Sequence, residues 1–414
     1  MDIYKLFSLS LMLISASCQR SNVDLSSDAN GTLEQNYSNK GSEDGTEADP
    51  KYESYTTPSG ALVQGDVVVF SGNGAQIGEQ QGEHFKVETN ALIDNWLNPV
   101  VARAPYLARI VVHAKADTMA KQIPVDFSQE KAAFAQAAGV SETDLRLADS
   151  VADIMQHLGA GNIFGCSSFI VQPESSHTGG MILGRNLDYH DSLILADYWK
   201  PVLFKKTGVL KVLSIHLPGI SGVLNGINER GVSMMIHVST GSTSSIGIPA
   251  TIGFRYVLER AESTQHAVEL IKQQNWTFGM NIIVGDGKDS AIVEVDSKMA
   301  VSRGPDTKGV LYATNHYRNS TMNNGSLAAE GDRWKTMTAA TKIKTKYTVD
   351  DVKAIIGEVG GFEGTQIETN ILALVIDYEN KNIFFTSDPN GRKKAIYGGR
   401  AFSLNYQQIF DHNQ

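Results

Sequence analysis

Short apolar runs separated by turn-forming residues dominate the sequence after residue 165. They are rich in valine, isoleucine and phenylalanine, as buried or half-buried strands are. Glycine, asparagine and aspartate separate them, and they cover residues 168–171, 181–184, 209–216, 232–238, 281–284, 291–295 and 310–314. Helical patterns stand between and after them, over 252–261, 265–274, 333–344 and 349–359. Strands in runs with grouped helices predict an α+β fold of stacked antiparallel sheets covered by helices.

The sequence before Gly165 has a different character. Residues 88–158 carry apolar side chains at helical spacing. We therefore expect a mainly helical N-terminal segment over 59–165 and a strand-rich segment over 166–414. A glycine-rich stretch at 72–78 has the spacing GxGxxxG rather than GxGxxG, and no second βαβ unit follows it, which argues against a nucleotide site.

The first residues of the chain predict export. Residues 1–17 contain a short apolar run and then small residues, as a signal peptide does, and the run is too short to span a bilayer permanently. Small residues before Cys18 resemble the lipobox of bacterial lipoproteins, in which the cysteine is acylated. We expect a cell-envelope lipoprotein held at the membrane by a lipid anchor on Cys18, with simple secretion as the alternative. Residues 18–58 have almost no aliphatic side chains and predict a disordered tether.

Composition excludes several classes of partner. A chain of 414 residues with 42% hydrophobic content can bury a large core. Its 45 acidic and 36 basic residues give a net charge of -9, and no lysine or arginine cluster could follow a phosphate backbone, so we expect no nucleic acid partner. The sequence has no HExxH, no CxxC and no clustered histidines, so we expect no metal or other cofactor. It indicates no oligomeric state.

The second cysteine of the chain, Cys166, is the first candidate for a catalytic residue. Cys18 and Cys166 are the only cysteines, so the mature fold holds one thiol and no internal disulfide if Cys18 is lipidated or removed. A lone cysteine is more often a small buried hydrophobic residue. Cys166, however, opens a strand, lacks the helix N-terminus that lowers a thiol pKa, and so needs another base. Its own α-amine, with a pKa of about 8, would serve if the peptide after Gly165 were broken.

Further motifs in the sequence carry a family resemblance. Cys166-Ser-Ser is followed, after a short hairpin, by Gly-Arg185-Asn-x-Asp188. This pattern resembles the choloylglycine hydrolase and acid ceramidase group, and above all the autoproteolytic acyltransferases and amidases typified by penicillin acyltransferase. Residues 226–231 resemble the Asn-Glu-x-Gly hairpin of that group, and 313–316 resemble its Thr-Asn segment.

The resemblance implies a set of site residues. The cysteine would be the nucleophile, the arginine would lie near the thiol, the aspartate would hold the new α-amine, and the asparagine would help to form an oxyanion hole. A downstream arginine completes the set. By position these residues are Cys166, Arg185, Asp188, Asn315 and Arg333. For the second oxyanion donor, which follows the hairpin, the chain offers His237 and Val238.

The resemblance also implies a fold and a reaction. The fold would be the four-layer αββα sandwich of the N-terminal-nucleophile (Ntn) hydrolases, with residues 166–414 as its catalytic segment. The chain would cut itself between Gly165 and Cys166 and then hydrolyse linear amides, with a small-molecule or lipid N-acyl amide as substrate. The alternatives are an acyltransferase that uses the same thioester and a non-catalytic surface lipoprotein with this fold.

Local geometry leaves alternative roles for several of these residues. Residues three positions apart on a strand face opposite sides, so Arg185 and Asp188 reach one site only if the strand ends near Asn186. Without the thiol, the two would form a local ion pair at a strand end. Arg333 begins a helix, and the alternative interpretation is that its side chain is simply solvated. His316 adjoins Asn315, which suggests a Cys-His-Asn protease, but adjacent strand residues point to opposite faces and would not serve one thiol.

Overall fold

The computed structural model describes residues 54–56, 62–64, 66–102, 106–157, 164–189, 193–239, 245–322, 331–360, 370–387 and 400–413. The predicted signal peptide over 1–17 and the lipidation site Cys18 lie outside these ranges, as does most of the predicted tether over 18–58. Residues 54–56 are the exception, because they pair with residues 62–64 in a sheet. The prediction of disorder was therefore wrong for 54–56, since strand pairing uses backbone groups and needs no aliphatic side chains.

The strands form two sheets within the described residues. They are β1 Ser54–Thr56, β2 Leu62–Gln64, β3 Val67–Gly72, β4 Phe164–Val171, β5 Ile182–Tyr189, β6 Lys200–Lys206, β7 Val212–His216, β8 Asn225–Asn228, β9 Ser233–Val238, β10 Met280–Gly285, β11 Ser290–Val295, β12 Ala300–Arg303, β13 Val310–Ala313, β14 Asn370–Asp377, β15 Asn382–Ser387 and β16 Arg400–Asn405. Sheet A has the order β1-β2-β3-β6-β7-β8-β9-β10-β11-β12, and sheet B has the order β13-β4-β5-β14-β15-β16. Neighbouring strands are antiparallel except β3 and β6, which are parallel.

Helices cover both sheets and fill most of the N-terminal segment. They are α1 Gly74–His84, α2 Lys86–Leu92, α3 Asn98–Ala102, α4 Tyr106–Ala120, α5 Val125–Ala138, α6 Glu142–His157, α7 Ala250–Leu258, α8 Thr264–Gln273, α9 Asp332–Ile343, α10 Val349–Val359 and α11 Tyr406–His412. No helix in the described ranges combines the length and the apolar character needed to cross a membrane.

Three buried clusters define the layers. The first lies between the sheets and joins sheet A residues such as Met235 to sheet B residues such as Ile170. The second joins the outer face of sheet A to α7 and α8, through contacts of residues such as Phe254. The third joins the outer face of sheet B to α9 and α10, for example at Ile356. The order helix, sheet, sheet, helix confirms the predicted α+β, four-layer αββα sandwich.

Helix α1 packs closely against α5 through glycines spaced four residues apart. A Cβ atom added to Gly74, Gly78 or Gly82 would lie 2.5 Å or less from a backbone oxygen of α5. The close approach needs residues without side chains, as in other tight helix pairs. The glycine-rich stretch at 72–78 thus opens a helix-packing surface.

Candidate active site

Cys166 lies near the start of β4, with its side chain between the two sheets. It pairs with Leu187 of β5, and its side chain shares a face with Ser168, which contacts His237 of sheet A. The residue is 1% exposed. The thiol is therefore enclosed by the fold, although it lines a cavity described below.

Arg185 places a positive charge beside the thiol. It pairs with Ser168 across β4 and β5, so its side chain projects from the same sheet face as Cys166. Its Nη2 atom lies 3.9 Å from Cys166 Sγ and donates to the Ile236 carbonyl at 2.9 Å. Its Nη1 atom donates to Asn225 Oδ1. Arg185 thus reaches the sulfur atom, while Asn225 is a neighbour that the sequence motifs did not indicate.

Asn315 contacts the backbone nitrogen of Cys166. Its Oδ1 accepts from the Cys166 N–H at 2.8 Å and from Arg333 Nη2 at 2.9 Å, while its Nδ2 donates to the Val238 carbonyl at 2.7 Å. These partners fix the orientation of the amide, because two donors face its oxygen and an acceptor faces its nitrogen. The sequence resemblance implied an oxyanion-hole donor. In the uncut chain, Asn315 instead holds the nitrogen of the peptide predicted to be cut.

Arg333 holds the other backbone group of the same cysteine. It lies at the start of α9, and its Nη1 donates to the Cys166 carbonyl at 2.8 Å. The same atom lies 3.6 Å from Asp188 Oδ2. With 11% of its side chain exposed, Arg333 is not the solvated residue of the alternative interpretation.

Asp188 lies on the opposite face of β5 from Arg185. The strand does not end near Asn186 but continues to Tyr189, so the alternation of side chains persists. The Asp188 Oδ1 accepts from Asn370 Nδ2 at 2.7 Å, and its Oδ2 faces Arg333. Asp188 therefore approaches the cysteine from the side of its backbone, through Arg333, whereas Arg185 approaches the sulfur.

The charges around Cys166 act on its thiol in opposite directions. Burial raises the pKa of the Cys166 thiol, the Arg185 and Arg333 guanidinium groups lower it, and the Asp188 carboxylate raises it. Burial prevails, and the thiol pKa lies above its usual value. The sulfur in the uncut chain is therefore protonated at neutral pH and needs a base before it can attack.

His237 is a buried polar neighbour of this site. Its Nε2 lies 2.9 Å from Ser168 Oγ, two residues after Cys166 on the same strand face. Burial, helped by the positive charge of Arg185 and Arg333, lowers the pKa of His237 well below its usual value. The imidazole is therefore neutral and adds no positive charge beside the thiol.

An apolar cavity of about 70 Å³ adjoins Cys166. The N-terminal helices and the catalytic segment both line it, for example with Trp96, Ala152, Trp199, Leu217 and Ile236. A cavity of this size exceeds the space needed for one water molecule and suits an apolar group. Among the described residues, no group of three histidine, cysteine, aspartate or glutamate side chains is placed to hold a metal ion.

Comparison with known proteins finds a family model that matches the chain. The family model described as acyl-coenzyme A:6-aminopenicillanic acid acyl-transferase matches residues 175–390, just over half of the chain. The matched range begins after Cys166 and includes Arg185, Asp188, Asn315 and Arg333. No curated protein sequence matches the chain significantly.

Several solved structures are also similar to the chain. The Caenorhabditis elegans ortholog of N-acylethanolamine-hydrolyzing acid amidase is 18% identical over 58% of this chain and 100% of that chain, with a TM-score of 0.42. Penicillin V acylase from Agrobacterium tumefaciens is 16% identical over 54% of this chain and 83% of that chain, with a TM-score of 0.37. A mutant conjugated bile acid hydrolase from Clostridium perfringens is 14% identical over 59% and 93% of the two chains, with a TM-score of 0.39.

Proposed function

Because the chain belongs to the acyl-coenzyme A:6-aminopenicillanic acid acyl-transferase family, we propose that it is a self-cleaving amidase with Cys166 as its N-terminal nucleophile. Membership confirms the family resemblance found in the sequence. It makes the chain an enzyme that acts on carbon–nitrogen amide bonds, by hydrolysis or by acyl transfer. The identity of the nucleophile, the self-cleavage and the substrate are the parts of the proposal that go further.

One observation carries the proposal. The side chain and the backbone of a single residue, Cys166, are each held by dedicated polar groups: Arg185 faces the sulfur at 3.9 Å, while Asn315 and Arg333 bind the nitrogen and the carbonyl. A structural cysteine also needs partners for its buried backbone groups, but it needs no cation beside its sulfur. A nucleophile whose own nitrogen acts as the base needs both sets.

Self-cleavage would begin at the carbonyl carbon of Gly165. Cys166 Sγ attacks that carbon, the carbon–nitrogen bond breaks, and the thiol proton passes to the leaving nitrogen, which becomes the free α-amine of Cys166. Water then hydrolyses the thioester, which leaves a carboxylate on Gly165 and a thiol on Cys166. Because the α-amine does not exist before this step, the uncut chain has no base for turnover.

Turnover would use the same thiol with the freed amine. The α-amine removes the thiol proton, Sγ attacks the substrate amide, and the protonated amine returns the proton to the leaving nitrogen. Arg185 stabilises the thiolate, and Asp188, held by Asn370, stabilises the ammonium form. Water completes hydrolysis of the acyl-thioester. An amine or alcohol in place of water would give acyl transfer.

The cavity beside the thiol indicates the acyl part of the substrate. Its lining is almost entirely apolar, so a charged or strongly polar acyl group would lose its hydration without new hydrogen bonds. An apolar acyl chain gains about 0.8 kcal/mol for each methylene it buries. We therefore propose an N-acyl amide with an apolar acyl group as substrate, and expect kcat/KM to rise about fourfold per methylene until the cavity is full.

A series of N-alkanoyl p-nitroanilides tests this function. Release of p-nitroaniline reports turnover, and the intact mass of acid-quenched enzyme reports an acyl group bound to the fragment 166–414. We expect the acyl adduct and turnover in the wild type and in Cys18→Ala, which removes the other cysteine, and neither in Cys166→Ala. Turnover that survives in Cys166→Ala would refute the proposed nucleophile.

A further inference from the structure

The guanidinium group of Arg185 is buried between the sheets. Its side chain leaves sheet B and reaches sheet A, where Nη1 donates to Asn225 Oδ1 and Nη2 to the Ile236 carbonyl. Arg185 is 0% exposed and Asn225 is 1% exposed. Both of these acceptors are neutral, so they orient the positive charge without neutralising it.

Asn225 is itself held in one orientation. Its Nδ2 donates to the Ile215 carbonyl of β7 at 2.7 Å, and its own carbonyl accepts from Ser214 Oγ at 2.8 Å. Because the amide nitrogen is bound to an acceptor, the amide oxygen faces Arg185. Hydrogen bonds within sheet A thus hold Asn225 in place for its contact with Arg185.

In the described part of the chain, the ionisable groups near the Cys166 sulfur come from three elements. Arg185 and Asp188 lie on β5, Arg333 on α9, and His237 on β9. His237 is neutral, as described above, and Arg333 is bound to the backbone of Cys166 and faces Asp188. Arg185 is the cation with a direct contact to the sulfur, at 3.9 Å.

We propose that Asn225 is a positioning residue that aims the Arg185 guanidinium at Cys166 Sγ and, by being neutral, leaves its charge available to the thiolate. A carboxylate in this place would form a charge-assisted pair with the guanidinium and compete with the sulfur for it. An opposite charge within 4–6 Å shifts a pKa by roughly 1–3 units, so neutralising Arg185 removes a corresponding part of the stabilisation of the thiolate.

Cysteine alkylation tests this inference directly. The rate of Cys166 alkylation by iodoacetamide, followed by mass spectrometry over a pH series, gives the apparent thiol pKa of the purified protein, and the same spectra show whether each variant is cut. The inference rests on the proposed nucleophile, but alkylation needs no amide substrate. A failure of the amidase assay therefore leaves this measurement interpretable.

The variants are chosen to separate charge from packing. Asn225→Asp keeps the size and adds a negative charge, and Asn225→Ala removes the acceptor for Arg185. Asn228→Asp is the matched control, because Asn228 lies on the same strand, is equally buried, and binds the carbonyls of Leu258 and Ala261 instead of Arg185. Thermal unfolding shows which variants are folded.

The expected result is a graded rise in the apparent thiol pKa. Asn225→Asp should raise it by about one unit, which is a tenfold slower alkylation below that pKa. Asn225→Ala should raise it by less, and Asn228→Asp should leave it unchanged. If either folded Asn225 variant has the wild-type value, or if the Asn228 control shifts equally, the inference is wrong.

Discussion

The side chain and the backbone groups of Cys166 point in different directions. A strand side chain projects from the sheet face, while the N–H and C=O groups point along the plane of the sheet. Arg185 therefore meets the sulfur on the inner face, whereas Asn315 and Arg333 meet the backbone at the side of the strand. Asp188 lies with Asn315 and Arg333 on the backbone side of the cysteine. Its position on the other face of β5 from Arg185 is therefore compatible with a role at the same cysteine.

Asp188→Asn tests the role of the carboxylate. The asparagine keeps the size of the side chain but cannot balance the charge of an α-ammonium group. We expect slower self-cleavage, or a turnover at least about tenfold lower, which corresponds to about 1.4 kcal/mol in the barrier. Gel analysis of maturation and steady-state p-nitroanilide assays measure the two effects.

A suitable control for Asp188 is Asp350→Asn. The Asp350 side chain is 91% exposed at the start of α10, so its substitution should change neither maturation nor turnover. If Asp188→Asn matches the control in both assays, Asp188 has a structural role only.

At the residue scale, the sequence predicted the candidate site residues but not the residues that hold them in place. Cys166, Arg185, Asp188, Asn315 and Arg333 lie in recognisable local motifs. Asn225 and Asn370 come from other strands, and nothing in their immediate sequence distinguishes them from turn residues. Their contacts depend on the pairing and stacking of sheets, which join residues far apart in the chain.

Among the secondary-structure elements after residue 165, the sequence predicted all four helical ranges and several strands, but not β6, β12, β14, β15 or β16. The patterns at 281–284 and 291–295 correspond to β10 and β11 within one residue at each end. The parallel pairing of β3 with β6 could not be predicted, because the two strands are separated by the whole helical segment and β4 and β5. As a result, the N-terminal segment contributes strands to sheet A as well as helices.

Helix α6 attaches the N-terminal segment to the catalytic segment through two buried carboxylates. Asp149 Oδ1 accepts from the Ser221 N–H at 2.8 Å, and its Oδ2 lies 2.6 Å from Lys131 Nζ. Asp153 Oδ1 accepts from the N–H of Ala250 at 3.1 Å, at the first residue of α7. A carboxyl group here satisfies a helix N-terminus that has no side-chain cap of its own.

Asp153 should make stability depend on pH. Burial is the main cause that raises the pKa of Asp153 to about 7. The folded protein then keeps a proton that the unfolded chain loses near pH ~4, so the free energy of unfolding falls as pH rises from about 4 to 7 and is level above that. This contribution is on the order of a few kcal/mol.

Asp153→Asn removes this titration. Denaturant unfolding between pH 4 and pH 8 should show the wild type losing stability relative to the variant up to about pH 7, with a constant difference beyond. A difference that does not change with pH would show that Asp153 is already charged in the folded protein.

For the whole molecule, ion pairs join the two segments on either side of the predicted cut. Glu130 of α5 pairs with Arg255 of α7, and Lys206 of β6 pairs with Asp126 of α5, each at 2.5 Å. Neither these ion pairs nor the β3–β6 pairing involves the peptide between Gly165 and Cys166. The sequence predicted the four layers, but it could not predict this interface because its partners lie more than seventy residues apart.

The most direct test of the account is the mass of the purified protein. We expect the wild type to consist of two fragments, the second running from Cys166 to residue 414 with a free α-amine at its N-terminus, and Cys166→Ala to remain a single chain. A wild-type protein that stays uncut and still hydrolyses N-acyl amides would contradict the central claim, because no α-amine would then exist to accept the thiol proton.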